Sequence, residues 1–164
     1  MARRSQGDNR QGGAYDKALA LLARREHSAR ELKSKLELRG LDAEESAEAL
    51  KTLQSKNYQS DDRFGEMLVR SRLEGGYGAR WIVAELRQHG IAEGPARALI
   101  DAAEPDWPEL IRRQLRRRFG ARKPADIAER NKRAAFLLRR GFETATVTMI
   151  TRAEGFDDTA DESD

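Results

Sequence analysis

Along most of the chain, apolar residues return every third or fourth position with charged residues between them, and strand signals are scarce, with no sustained alternation of β-branched residues. That is the period of a helix with one buried stripe rather than of a strand. Tyr15, Ala18, Leu19 and Leu22 keep the i, i+3, i+4, i+7 spacing. Ser28-Ala29-Arg30-Glu31 has the form of a capping box and opens a helix with Leu32, Leu36 and Leu38, which Gly40 ends in the position after a helix that favours positive φ. Asp42 caps a third helix, carrying Ala47, Leu50 and Leu53. Ser60 and Asp61 can cap the next, which carries Phe64, Met67 and Leu68 and breaks at Gly75-Gly76-Tyr77-Gly78. A helix with Trp81, Ile82 and Leu86 stops at Gly90, and Pro95 suits the first turn of one holding Leu99 and Ile100. Asp106 opens a helix with Trp107, Leu110, Ile111 and Leu115, which Gly120 ends. Pro124 starts another, with Ile127, Ala134, Leu137 and Leu138, stopped by Gly141; Val147 and Ile150 mark the last.

These nine predicted helices fall into threes. Leu36-Glu37-Leu38-Arg39-Gly40-Leu41, Leu86-Arg87-Gln88-His89-Gly90-Ile91 and Leu137-Leu138-Arg139-Arg140-Gly141-Phe142 share one pattern, with the glycines 50 and 51 residues apart. Each trio opens with an aromatic and two apolar residues: Tyr15, Ala18, Leu19; Phe64, Met67, Leu68; Trp107, Leu110, Ile111. A Leu packs inward one turn before the helix end, Gly takes positive φ without a Cβ penalty, and the apolar residue after it folds back. Three such joints at matched spacing read as a threefold internal repeat, each unit gaining stability from its neighbours. The organisation expected is a polar tail over 1–13, repeats over 15–58, 60–104 and 106–155, and an acidic tail over 157–164.

Composition agrees with helices around modest cores. Of 164 residues, 38% are hydrophobic, 36% charged and only 6% aromatic, too few aromatics for one large compact core. No apolar run is long enough to span a membrane, and the arginine-bearing N-terminus is followed by no apolar segment of a secretory signal. Cysteine is absent, which excludes disulfides, thiol catalysis and Cys-based zinc sites and makes a cytoplasmic protein the default.

Candidate catalytic groups are few. His27 and His89 are the only histidines, too few for a His/Cys metal centre. His89, next to Gly90 at a helix end, complements the helix dipole. Gly75-Gly76-Tyr77-Gly78 follows no strand and precedes no Gly-Lys-Ser/Thr, so it is a bend and not a phosphate loop. The carboxylate pairs Glu44/Glu45 and Asp61/Asp62 sit at helix starts, where capping accounts for them, and Ser34-Lys35 is a lone dyad on a charged helix. The chain reads as non-enzymatic, without metal or cofactor.

Charge changes the picture more. The net charge is +3, but residues 1–14 carry +2, the tail from 157 carries −5, and 112–140 holds twelve Lys/Arg against Asp126 and Glu129. Arg112, Arg113, Arg116 and Arg117 recur at i, i+1, i+4, i+5 and make a broad helical stripe, which Arg118, Arg122 and Lys123 extend with no acidic residue in between. Arg130, Lys132, Arg133, Arg139 and Arg140 add a second basic face. Arg70, Arg72 and Arg80 add a smaller one among Glu66, Glu74 and Glu85, where a solvated, ion-paired surface is the plainer reading. Uncompensated repulsion over 112–123 favours binding a polyanion there, either nucleic-acid phosphate or an acidic protein surface. No candidate recognition helix carries Arg, Asn and Gln at its start, so base-specific readout is not expected; Trp81, Tyr77 and Trp107 are the main candidates for base stacking, with Trp107 at a core position.

The repeat, together with Asp62-Arg63-Phe64-Gly65-Glu66-Met67-Leu68-Val69-Arg70, Gly78-Ala79-Arg80-Trp81-Ile82, Glu85-Leu86-Arg87-Gln88-His89-Gly90-Ile91 and Lys132-Arg133-Ala134-Ala135-Phe136-Leu137-Leu138-Arg139-Arg140-Gly141-Phe142, resembles the bacterial RecX family, regulators of the RecA recombinase. The likeness covers about 15–155. Trp81 beside the Ile that usually leads its helix, and the strongly acidic tail, depart from the family pattern. The resemblance implies an all-α protein of three tandem three-helix repeats in an elongated, curved, right-handed arrangement. It also implies a protein without catalytic residues that binds in the groove of the RecA–DNA filament and suppresses its recombinase and ATPase activities; the basic surface adds the expectation of phosphate contacts to single- or double-stranded DNA, and a monomer is expected. The rival reading is a sequence-independent DNA-binding module acting without a recombinase; a helical scaffold without specific binding is a third.

Overall fold

The computed structural model describes residues 13–156; the tail expected over 1–13, Gly13 apart, and the acidic tail expected over 157–164 lie outside the described residues. Among the described residues there are nine α-helices and no strand: α1 (Ala14–Leu22), α2 (Ala29–Leu38), α3 (Ala43–Ser55), α4 (Asp61–Glu74), α5 (Ala79–Gln88), α6 (Glu93–Ala102), α7 (Trp107–Phe119), α8 (Ile127–Arg139) and α9 (Thr144–Ala153). The chain divides into two compact units, residues 1–64 and 65–164.

In the first unit, α1, α2 and α3 pack mutually around Ala18, Leu32, Leu36 and Leu53, all fully buried, with Tyr15, Leu19, Leu22, Leu41 and Leu50 packed against them. Helix ends are satisfied by side chains, as the free N–H groups of a first turn require. Ser28 Oγ accepts from the Glu31 N–H at 3.0 Å, and Asp42 Oδ2 accepts from the N–H groups of Glu44 and Glu45. The acidic pairs do the same across helices. Glu45 accepts from the Ala14 N–H at the start of α1, and Asp61 from the Ala29 N–H at the start of α2, each at 2.9 Å. Ser60 Oγ is left to accept from Arg63 in α4.

In the second unit, α5 pairs with α6, and α7, α8 and α9 enclose Ile111, Leu115, Leu137, Phe142, Val147 and Ile150. Trp107 packs edge-on against Phe142, consistent with its core position. Some expected inward residues face out. Leu38 is 87% exposed because it lies two positions, more than half a turn, past buried Leu36; Ile127 and Leu138 are also exposed. Ala47 is exposed while Ser46 and Ala49 take the inner face of α3. Helix α8 begins at Ile127 and not at Pro124, because Asp126 caps it through the Glu129 N–H at 2.8 Å.

The three joints expected from the repeat use one device. Gly40, Gly90 and Gly141 have φ of 79°, 86° and 89°. In each, the glycine N–H donates to the carbonyl three residues back and the next N–H to the carbonyl five back: Leu41 to Leu36, Ile91 to Leu86, Phe142 to Leu137, at 3.2, 3.0 and 3.3 Å. This is the Schellman arrangement, and each accepting Leu is fully buried. The surroundings differ. A Cβ at Gly40 would meet nothing within 4 Å, whereas one at Gly141 would lie 2.5 Å from the Trp81 backbone nitrogen. Gly78 is the other side of this contact, its added Cβ falling 2.2 Å from the Phe142 nitrogen. Two backbone bonds seal it, Gly78 N–H to Arg140 O at 2.8 Å and Arg80 N–H to Gly141 O at 3.1 Å.

Substitution by alanine separates the two settings. Gly40→Ala should cost about 1–2 kcal/mol, the price of a Cβ at positive φ. Gly141→Ala adds overpacking against backbone and should cost about 2–5 kcal/mol. Urea unfolding followed by far-ultraviolet circular dichroism measures both; equal losses would refute the close α5–α8 approach.

Candidate nucleic-acid and partner interface

All fifteen expected binding residues lie in the second unit. Helix α7 presents Arg112, Arg116, Arg117 and Arg118 as exposed side chains, because buried Ile111, Gln114 and Leu115 commit the opposite side to the core. Arg113 is half-buried, and its Nη2 donates to the Leu73 carbonyl at 3.3 Å, so it ties α7 to the end of α4. The stripe is not as uncompensated as its sequence reads. Arg116 pairs with Glu109 at 2.7 Å, one heptad earlier on the same helix. Arg122, exposed in the α7–α8 loop beside exposed Lys123, pairs with Glu129 at 2.7 Å. A search restricted to partners three or four residues away passes over both; the seven-residue spacing was the available signal.

The second face loses one expected member. Arg133 is 1% exposed and faces inward from α8. Both of its terminal nitrogens donate to the Arg122 carbonyl at 3.1 Å, Nη2 also reaches Glu129 Oε1 at 3.0 Å, and the guanidinium lies over the Phe119 ring. Burying a cation requires such pairing, and here it fixes the α7–α8 loop. Lys132 and Arg139 are exposed; Arg130 is half-buried against the Phe156 ring, and half-buried Arg140 lies 4.6 Å from the Tyr77 ring centroid. In the middle trio Arg70 and Arg80 are exposed. Arg72 clamps Glu85 with two bonds of 2.7 and 2.6 Å that join α4 to α5, and that hydrogen bonding raises its pKa further. Arg87, exposed on α5, adds a cation outside the expected set.

Three acidic groups carry perturbed protonation. The Ala125 N–H, Arg122 and Arg133 hold Glu129 down to about 2. Burial opposes ionisation of Glu31 in the first unit, but hydrogen bonds from Arg25 and Lys35 win and bring it to about 2. Burial pushes Glu154 up; its Oε2 sits 3.8 Å from Arg133 Nη1. In the first unit, beside Glu31, His27 is 2% exposed and lowered by burial, its Nδ1 within 3.0 Å of the Arg25 carbonyl. Among the described residues, no helix is long and apolar enough to cross a membrane.

Comparison with known proteins matches the chain three times over. Models of the first, second and third three-helix domains of RecX match residues 14–53, 60–103 and 104–150. The regulatory protein RecX of Stenotrophomonas maltophilia (strain R551-3) is 44% identical over 136 residues, 83% of either chain. That of Halorhodospira halophila is 44% identical over 143 residues, 87% of this chain and 89% of its own. In the fold alone, the crystal structure of RecX from Lactobacillus salivarius superposes with a TM-score of 0.68 at 20% identity, covering 86% of this chain and 94% of that one. A second regulatory protein RecX structure gives 0.72 at 23%, covering 85% and 70%.

The Glu129 cluster makes a pH prediction. A carboxylate whose pKa falls on folding contributes stability that is complete above its unfolded value near 4.5 and is lost as pH drops toward about 2. Glu129→Gln should therefore lower the melting temperature at pH 7, and the gap to the native protein should narrow steadily between pH 4.5 and 2. Thermal melts across that range check it; a gap independent of pH would show that the charge on Glu129 is not what holds the loop.

Proposed function

The chain belongs to the RecX family, and from that premise we propose that it is a non-enzymatic regulator that binds the RecA recombinase–DNA filament and inhibits its recombinase and ATPase activities, thereby modulating homologous recombination and DNA repair. The supporting observation is the exposed row Arg112, Arg116, Arg117 and Arg118 on α7, with Lys123 in the following loop and Lys132 on α8 exposed as well. These side chains are displayed on a helix whose other side is locked into a core, so the charge is presented at low conformational cost. A filament repeats the same surface along its length, and DNA phosphates run with it. A protein made of tandem helical trios can touch neighbouring protomers and phosphates together, and several weak contacts then combine into strong retention. Seated in that way it obstructs subunit addition or the protomer movements that accompany nucleotide turnover.

The expected boundaries of the trios, 15–58, 60–104 and 106–155, form part of this proposal, as does a monomeric state. Phosphate contact is an auxiliary: it sets salt dependence without selecting sequence.

The test compares binding to bare single-stranded DNA and to recombinase-coated DNA at two salt concentrations. Tighter binding to the coated DNA, with a shallower salt slope, is expected. Equal affinity and equal slope would establish instead a DNA-binding module that needs no recombinase. Reversing Arg112, Arg116, Arg117 and Arg118 to Glu should weaken filament binding at least ten-fold, an expectation from about 1 kcal/mol or less per exposed contact summed over four. The helical circular dichroism should be unchanged. Undiminished binding would remove α7 from the interface.

A further inference from the structure

Trp81 is the anomaly of the middle trio. It is 45% exposed on an otherwise well-partitioned helix whose inner face is Ile82, Val83 and Leu86. Core packing does not account for its size there. Its indole stacks on the Tyr77 ring, centroids 5.0 Å apart with 27° between planes, and the Arg140 guanidinium lies over Tyr77 in turn. The cluster is held rigid from below, because Gly78 and Gly141 bring the two backbones into contact directly beneath it. Beside the indole is an open recess of about 210 Å³, completed by Ala84, Glu85 and Gln88, the i+3, i+4 and i+7 positions of the same helix. That volume is below the range of a drug-sized ligand site and suits one flat ring system. Arg80 and Arg87, both exposed, lie seven residues apart along one edge of the stripe, about 10 Å along the axis, where their long side chains can meet the backbone of a strand whose base covers the indole.

We infer that Trp81, braced by Tyr77 and Arg140, is a stacking platform for an unpaired nucleobase of single-stranded nucleic acid, with Arg80 and Arg87 on the flanking phosphates. A π face accepts any base, so the contact is indifferent to sequence, in keeping with the lack of base-reading side chains. A duplex keeps its bases stacked inside and offers the indole none. The inference rests on the nucleic-acid half of the proposed function, and bare oligonucleotides separate it from the filament half.

A Trp107→Phe protein leaves Trp81 as the one indole. Titration with oligothymidine should quench its emission to saturation. An abasic strand of equal length and charge, and a duplex, should bind through phosphates with little quenching. By anisotropy of labelled oligothymidine, Trp81→Ala should bind at least five-fold more weakly and Trp81→Phe should retain most of the affinity, while binding of the abasic strand is unchanged in both. The Trp81→Phe and quenching arms stand if the alanine variant does not fold. Three results would overturn the inference: quenching as strong with the abasic strand, oligothymidine affinity unaltered in a folded Trp81→Ala protein, or a loss confined to recombinase-coated DNA. The last would assign the indole to a protein partner and leave the filament reading intact.

Discussion

A helix that must end abruptly and redirect the chain leaves carbonyls without donors and a hydrophobic stripe without cover. Here one local solution meets both needs. A buried leucine, a positive-φ glycine and an apolar residue folding back produce the same pair of 6→1 and 5→2 hydrogen bonds at Gly40, Gly90 and Gly141. The device fixes where the third helix of each trio begins, and in the first and last trios it closes the three helices over a small core. With only 6% aromatic residues and more than a third of the chain charged, no trio buries enough surface to tolerate a loose joint.

Most of the fold was legible because helices announce themselves by period and by their ends. Ser28, Asp42 and Asp106 stand at their expected caps, and the nine helices of the described residues follow the apolar stripes, with the start of α8 displaced. The errors have a common source in reading residue type without phase. Leu38 and Leu138 are hydrophobic but sit on the wrong side of the turn, while Ser46 and Gln114 are polar but sit on the buried one. Pro124 has the chemistry of a helix start, yet the strong cap two residues later decides the boundary.

The candidate interface was legible in part. Linear spacing found the exposed row of α7 but could not foresee that Arg133 turns inward or that Arg113 is drawn to the end of α4. Those outcomes depend on contacts between helices distant in sequence, such as Arg113 with Leu73, and on the carbonyl of a loop residue, Arg122. Charge patterning counts cations; only packing says which of them are struts. The remaining exposed arginines are the ones that can meet a partner, and they gain definition from the buried ones that hold the α7–α8 loop beneath them.

The backbone bonds from Gly78 and Arg80 to the carbonyls of Arg140 and Gly141 have a consequence for cooperativity. Helix α5 has no side-chain cap of its own; the Arg140 and Gly141 carbonyls that end α8 accept from the Gly78 and Arg80 N–H groups, so the C-terminus of one helix caps the N-terminus of the other. Melting α8 strips α5 of its terminator, and fraying α5 leaves the α8 carbonyls bare. These two bonds couple the stability of the second trio to that of the third, although the chain's own periodicity portrays them as separable modules.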